Sequence, residues 1–152
     1  MHSSSELTGM FRARGLKVTP QRLCIFGVLY ANESHPTAEA VYAAAAAQMP
    51  TISLKTVYQT LNDLAEMGEL SMLDLGTGAA RFDPNVEAAH HHLVCEQCGK
   101  VRDLHAEYGP LDVPDSERQG FVVGVAEIVF RGVCADCSPS SPQSPQPKEH
   151  HG

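Results

Sequence analysis

Tryptophan is absent from this chain and aromatic residues make up only 6% of it, so any core it builds must be largely aliphatic. No apolar run approaches the roughly 20 residues that cross a bilayer. Met1 to Thr8 also lacks the basic-then-apolar pattern of a secretion signal. Both absences predict a cytoplasmic chain with no membrane contact. Thiols stay reduced there, so paired cysteines are expected to hold metal rather than each other. A glycine-rich cofactor loop, a nucleophile elbow and a substrate-sized domain are missing too, which weighs against an enzyme, and there is no internal repeat. At 152 residues there is room for one medium domain or two small ones. The net charge of -7 is poor for coating nucleic acid. Yet residues 7–32 contain no Asp or Glu while carrying Arg12, Arg14, Lys17 and Arg22. A local basic face on an acidic protein is therefore expected.

Against these absences stand two identical brackets, Cys95-Glu-Gln-Cys98 and Cys134-Ala-Asp-Cys137. Each CxxC places two thiolates on one tight turn, and two such turns complete a tetrahedral cage for which Zn²⁺ is the favoured ion. A closed cage of this kind is structural. It would staple the strand at Cys95 to the segment ending at Cys137 and make the C-terminal unit dependent on metal for folding. Cys24 lies outside the set, within an apolar helix, and reads as a small core residue.

Just upstream runs His90-His91-His92. On an extended segment alternate residues share a face, so His90 and His92 can converge on one ion while Cys95 serves another. Asp83 lies before them, Asp103 on the next predicted strand, and His35 is the one remaining histidine between His2 and His90. Three imidazoles and two carboxylates suit Fe²⁺, Mn²⁺ or Zn²⁺, with geometry deciding among them. The plainer alternative is a polar hinge. An alternative of another class is a metal hydrolase or oxygenase centre, which would need open coordination positions.

The chain divides into an expected DNA-binding domain over residues 1–83, a linker over 84–89, a dimerisation and metal-binding domain over 90–137, and a Ser/Pro/Gln-rich tail over 138–152 expected to be disordered. The first domain reads as helices over Leu7–Arg14, from Thr19-Pro20 to about Ala31 (burying Phe26, Leu29 and Tyr30), from His35-Pro36-Thr37 to before Pro50, and from Ser53 to about Met67. Val57, Leu61 and Leu64 recur at helical spacing and should face the core. Ser53, Lys55, Thr56, Tyr58 and Gln59 point elsewhere and offer donors for phosphates and base edges, or simply a solvated face. Leu70–Leu73 and Ala79–Phe82 flank a glycine-rich turn and read as a hairpin, giving a winged-helix form. Strands follow over His92–Cys95, Lys100–Leu104 and Phe121–Val133. The last is apolar on both faces and asks for a dimer interface or a sandwiched sheet. The class is α+β.

Taken together, Gly15 to Arg22, His35-Pro36-Thr37-Ala38, Ser53 to Leu61, Arg81-Phe82-Asp83, His90 to Cys95, Cys98-Gly99-Lys100 and Gly132-Val133-Cys134 resemble the Fur family of metal-responsive bacterial repressors, from about Leu7 to Cys137. The resemblance implies a homodimer of winged-helix domains joined to a C-terminal dimerisation domain with a Cys₄ zinc site, acting on a palindromic double-stranded operator. It implies structural Zn²⁺ on Cys95, Cys98, Cys134 and Cys137, and regulatory metal on His35, Asp83, His90, His92 and Asp103. DNA contacts would fall to the helix of Ser53, Lys55, Thr56, Tyr58 and Gln59, with Lys17 and Arg22 beside it. Iron-sensing members usually carry Glu where Asp83 and Asp103 stand. Asp at both is similar to the PerR-type peroxide sensors, in which bound Fe²⁺ generates an oxidant that attacks ligand histidines, matched here by His35 and His90. The alternative within the family is an Fe²⁺- or Zn²⁺-responsive uptake repressor without peroxide sensing. Two departures are visible. The segment from Asp83 to Cys95 is one residue longer than in familiar PerR members. Residues 120–131 hold no His, so a further metal site found in some members is incomplete, leaving His91 and Glu107 as remnants. Because the ligands come from both halves, metal would select a closed dimer whose recognition helices match successive major grooves.

Overall fold

Four side-chain caps set the architecture of the first half. The computed structural model describes residues 1–86 and 91–138. Ser3, Thr19, Thr37 and Ser53 each accept a backbone N–H from the residue three positions on and open α1 (Ser4–Ala13), α2 (Pro20–Leu29), α3 (Ala38–Gln48) and α4 (Leu54–Glu66). Each cap contributes about 1 kcal/mol. Helix α1 starts three residues before Leu7 because Ser3 and Glu6 form a reciprocal capping box that sequence periodicity overlooks.

Leu7 and Phe11 of α1, Ile25, Phe26 and Leu29 of α2, Val41 and Ala45 of α3, and Val57, Leu61 and Leu64 of α4 are fully buried in one core. Phe11 meets Phe26 edge-on with ring centroids 5.1 Å apart. Tyr30 does not join them. It leaves the helix with ψ of 123° and is 54% exposed, because α2 ends one residue earlier. The third helix likewise starts after its cap at Thr37, which leaves His35 in the loop ahead of it.

Strands β1 (Ser71–Leu73) and β2 (Arg81–Asp83) form an antiparallel hairpin. Phe82 inserts into the helical core, and its N–H donates to the Pro36 carbonyl at 2.9 Å, so β2 runs beside the loop carrying His35.

The second half is a three-stranded sheet in the order β4-β3-β5, where β3 is His91–Cys95, β4 is Val101–Leu104 and β5 is Val129–Gly132. A short helix, α5 (Asp115–Arg118), lies between β4 and β5. Strand β4 is antiparallel to β3 and sets His92 opposite Asp103; β5 is parallel and sets Cys95 opposite Gly132. The long strand expected over Phe121–Val133 is paired only from Val129. Strand β3 is five residues long and is the strand β5 pairs with, so Phe121, Val122 and Val125 remain 76%, 97% and 74% exposed. The hairpin rests on this sheet through Leu73 and Leu75, packed with Val94, Val101 and Val129, and Arg131 donates to the Leu75 carbonyl at 2.7 Å. Of the expected linker, Pro84 to Val86 are described; residues 87–89, His90 and the tail from 139 lie outside the described residues. Among the described residues no helix is long and apolar enough to cross a membrane.

Leu61→Ala should lower the unfolding free energy by about 3 kcal/mol through lost transfer energy and a residual cavity. Asn62→Ala, on the exposed side of the same helix, should change it by less than about 0.5 kcal/mol. Urea midpoints read against a common m-value check both.

Candidate metal centres

Sheet register builds the cysteine cluster. The turn after β3 closes with Gly99 N–H donating to the Cys95 carbonyl at 2.9 Å, in a left-handed conformation (φ 73°) that suits glycine. Parallel pairing of β5 then delivers Cys134, whose N–H donates to Cys95 Sγ at 3.3 Å. A second turn, Cys137 N–H to the Cys134 carbonyl at 3.1 Å, returns the last thiol. The four sulfurs lie within 4.8 Å of one another, and Cys98 and Cys134 are 3.7 Å apart. Zn–S bonds of about 2.3 Å imply a tetrahedral edge of about 3.8 Å, so the spacing fits Zn²⁺. Backbone N–H groups of Cys98 and then Cys134 lower the Cys95 thiol to about 6. The Cys134 and Cys98 sulfurs push Cys137 up to about 12. One thiolate is thus prepared in advance, while a further negative charge needs a cation. Lys100 and Asp136 bridge the two turns at 2.6 Å on the surface.

The second cluster draws on both halves. His35, Asp83, His92 and Asp103 place one donor atom each within 4.8 Å of one another. His35 is 1% exposed and sits at φ 50°, a left-handed conformation that costs on the order of 1–3 kcal/mol for a residue other than glycine. Its Nε2 lies 2.6 Å from Asp103 Oδ1 and 3.2 Å from Asp83 Oδ2. His92 Nε2 approaches the same two oxygens at 3.4 and 3.9 Å. The two rings stand nearly perpendicular, 87°, with centroids 5.7 Å apart. Asp83 is held by accepting the Asn85 N–H at 2.8 Å. Asp83 thus stands within the cluster, whatever the length of the segment that follows it. His90, expected as the fifth donor, lies outside the described residues.

Two imidazoles and two carboxylates form a mixed nitrogen–oxygen set suited to Fe²⁺ or Mn²⁺, with Zn²⁺ also compatible. Burial is the largest influence on His35 and lowers its pKa, but the hydrogen bond and charge of Asp83, joined by those of Asp103, outweigh it and leave the pKa raised above 6.5. Sequence reasoning missed Glu127, whose Oε1 lies 3.3 Å from His92 Nδ1, on the ring edge away from the cluster. A carboxylate there orients a ligating imidazole. Only the parallel register of β5 on β3 brings it near, and no local motif announces it. His91 Nδ1 accepts the Ile128 N–H at 3.0 Å and its ring stands 5.3 Å from Tyr108. Neither His91 nor Glu107 joins a donor cluster among the described residues.

Of the residues expected to touch DNA, four share a groove and the others lie elsewhere along α4 and at its cap. Lys17, Arg22, Thr56 and Gln59 line one groove between the α1–α2 loop and α4. Lys55, Tyr58 and Gln59 are exposed. Ser53 Oγ is engaged as the α4 cap, and Tyr58 donates to Glu39 at 2.9 Å. Arg22 is tied inside the fold: its guanidinium bridges Asp63 at 2.8 Å, donates to the Lys17 carbonyl at 3.0 Å and lies 5.2 Å from the Phe11 ring centre.

The ferric uptake regulator family model matches residues 13–113. The chain is 35% identical over 139 residues to the peroxide-responsive repressor PerR of Staphylococcus epidermidis, covering 90% of this chain and 91% of that protein. It is also 35% identical over 140 residues to the peroxide operon regulator of Bacillus subtilis, covering 90% and 94%. The solved ferric uptake regulator from Pseudomonas aeruginosa with manganese superposes with a TM-score of 0.60 at 29% identity, covering 89% of this chain and 99% of that one.

The raised His35 pKa has a signed consequence when the His/Asp cluster is metal-free. Stability from protonated His35 is fully present below pH 6.5, the unfolded value, and is lost as pH rises through the higher folded value. Zinc-only protein should therefore lose stability across that window, and His35→Ala should flatten the loss. Mn²⁺ affinity should move oppositely and rise with pH, since binding displaces the proton. Denaturation and Mn²⁺ titrations at stepped pH measure both.

Proposed function

The chain belongs to the ferric uptake regulator family, and from that membership we propose that it is a metal-dependent transcriptional repressor which binds DNA as a homodimer and releases it on exposure to peroxide. The observation that carries this reading is the convergence of His35 and Asp83 from the helical half with His92 and Asp103 from the sheet, all within 4.8 Å. An ion held there joins the half that reads DNA to the half that pairs subunits. A buried carboxylate (Asp83), a half-buried one (Asp103) and two buried imidazoles favour a divalent cation over an empty cluster.

Residues 1–83 act as the winged-helix domain, with α4 entering the major groove and the β1–β2 hairpin as the wing. Residues 90–137 form the dimerisation domain on the structural Zn²⁺ of Cys95, Cys98, Cys134 and Cys137. The exposed strip of Phe121, Val122, Val125 and Val133 is the surface it offers to the second copy. Two-fold symmetry of that dimer calls for a palindromic operator. Asp83 and Asp103 draw the imidazoles close, and both carboxylates lose their net charge when the site fills, which eases approach to phosphate. When bound, Fe²⁺ supplies the reducing electrons that turn peroxide into a local oxidant. His35 and, by the family resemblance, His90 are the side chains the oxidant would attack, and an oxidised His35 can no longer clasp Asp83 and Asp103. The relatives named as peroxide-responsive regulators support this over a simple uptake repressor.

With Fe²⁺ bound, peroxide should add one oxygen atom to the peptide carrying His35 or His90 and abolish the gel shift of an AT-rich palindromic duplex. Mn²⁺-loaded protein should show neither change. Intact peptides with retained DNA binding would instead mark a plain metal-responsive repressor. Separately, His35→Ala should reduce metal-stimulated DNA affinity by about 10-fold; undiminished metal dependence would remove His35 from the hinge.

A further inference from the structure

Arg81 lies between the two metal clusters and belongs to neither. Its Nη1 donates to the His35 carbonyl at 3.2 Å, and its Nη2 donates to the Gly99 carbonyl at 2.6 Å. Gly99 is the residue after Cys98 and closes the first cysteine turn through its own N–H to Cys95. Arg81 also pairs as an isolated bridge with Thr37, the cap of α3, and the next two residues of its strand are Phe82 in the helical core and the cluster residue Asp83. One guanidinium thus grips the loop that holds His35 in its left-handed conformation and the turn that holds two zinc thiolates. Contact with the turn is close: a Cβ at Gly99 would stand 3.1 Å from Arg81 Nη2 and 3.6 Å from Thr77 Cβ in the hairpin turn.

We propose that Arg81 is a positioning residue that couples the Cys₄ knuckle to the His35 donor, so that an ordered zinc turn is a condition for assembling the regulatory cluster. The proposal rests on the reading of both clusters as metal sites. His35 needs external restraint because its backbone conformation is intrinsically unfavourable, and Arg81 anchors that restraint on the first of the two turns that zinc would make rigid. The two bonds leave from separate guanidinium nitrogens, whereas the three N–H donors of a lysine share one nitrogen and do not reproduce that planar span. Coupling of this kind is reciprocal: metal at the His/Asp cluster must also tighten zinc.

Wild-type protein, Arg81→Gln and Arg81→Lys, each carrying zinc, are compared in three measurements. Mn²⁺ affinity should fall about 10-fold in both variants, the scale of losing a group that orients a ligand. In zinc-only protein without Mn²⁺, carboethoxylation of His35 by diethyl pyrocarbonate, followed by peptide mapping, should accelerate in both variants. Saturating Mn²⁺ should raise zinc affinity, read by chelator competition, in the wild type and not in Arg81→Gln. Wild-type values in all three measurements for both variants overturn the proposal. If Arg81→Gln does not fold, Arg81→Lys alone decides it by the same readings. If wild-type protein binds no Mn²⁺, the function proposed above fails instead, while the His35 reactivity comparison still judges Arg81.

Discussion

A buried imidazole between two carboxylates is the constraint on which this molecule turns. His35 Nε2 stands 2.6 Å from Asp103 and 3.2 Å from Asp83, and His92 reaches toward the same pair of oxygens. A buried carboxylate such as Asp83, with Asp103 half-buried beside it, is unfavourable unless a cation accompanies it. A proton on His35 meets that need partially; a divalent ion meets it with charge to spare.

The cluster is defined by parts with independent reasons to be where they are. Asp103 and His92 are cross-strand partners, so their separation is a property of the β3–β4 ladder. Asp83 follows Phe82, which is locked in the helical core. The exception is His35, held in a strained loop by contacts made to it from β2. The small apolar cluster of Leu73, Leu75, Val94, Val101 and Val129, with Arg131 on the Leu75 carbonyl, keeps the hairpin against the sheet through contacts that involve no metal ligand. A cation at the cluster would therefore add to an approach that the two halves already make.

Features carried by short sequence spacing were legible before any fold was known. The two CxxC brackets, the caps Thr19 and Ser53, the glycine turn of the hairpin and the Val57–Leu61–Leu64 stripe each lie within a few residues of chain, where geometry follows from covalent connection. Features that depend on a partner strand or a helix end were not. Tyr30 was placed in the core because it continues the helical period, but α2 stops before it. The apolar alternation from Phe121 predicts a longer strand than the one that pairs, because alternation says nothing of whether a neighbouring strand exists. That Arg22 bridges Asp63 and lies over the Phe11 ring while lining the groove beside Thr56 and Gln59 is likewise invisible to local spacing.

By itself, the sequence determined the donor chemistry: four thiols, the imidazoles, two aspartates, and the order in which they occur. Tertiary structure alone decided that His35 adopts a left-handed backbone, that parallel β5 brings Glu127 to the back of His92, and that Arg81 spans the two clusters. The physical reason is distance along the chain. Contacts between residues dozens of positions apart are set by packing and register, which no local pattern of side chains encodes.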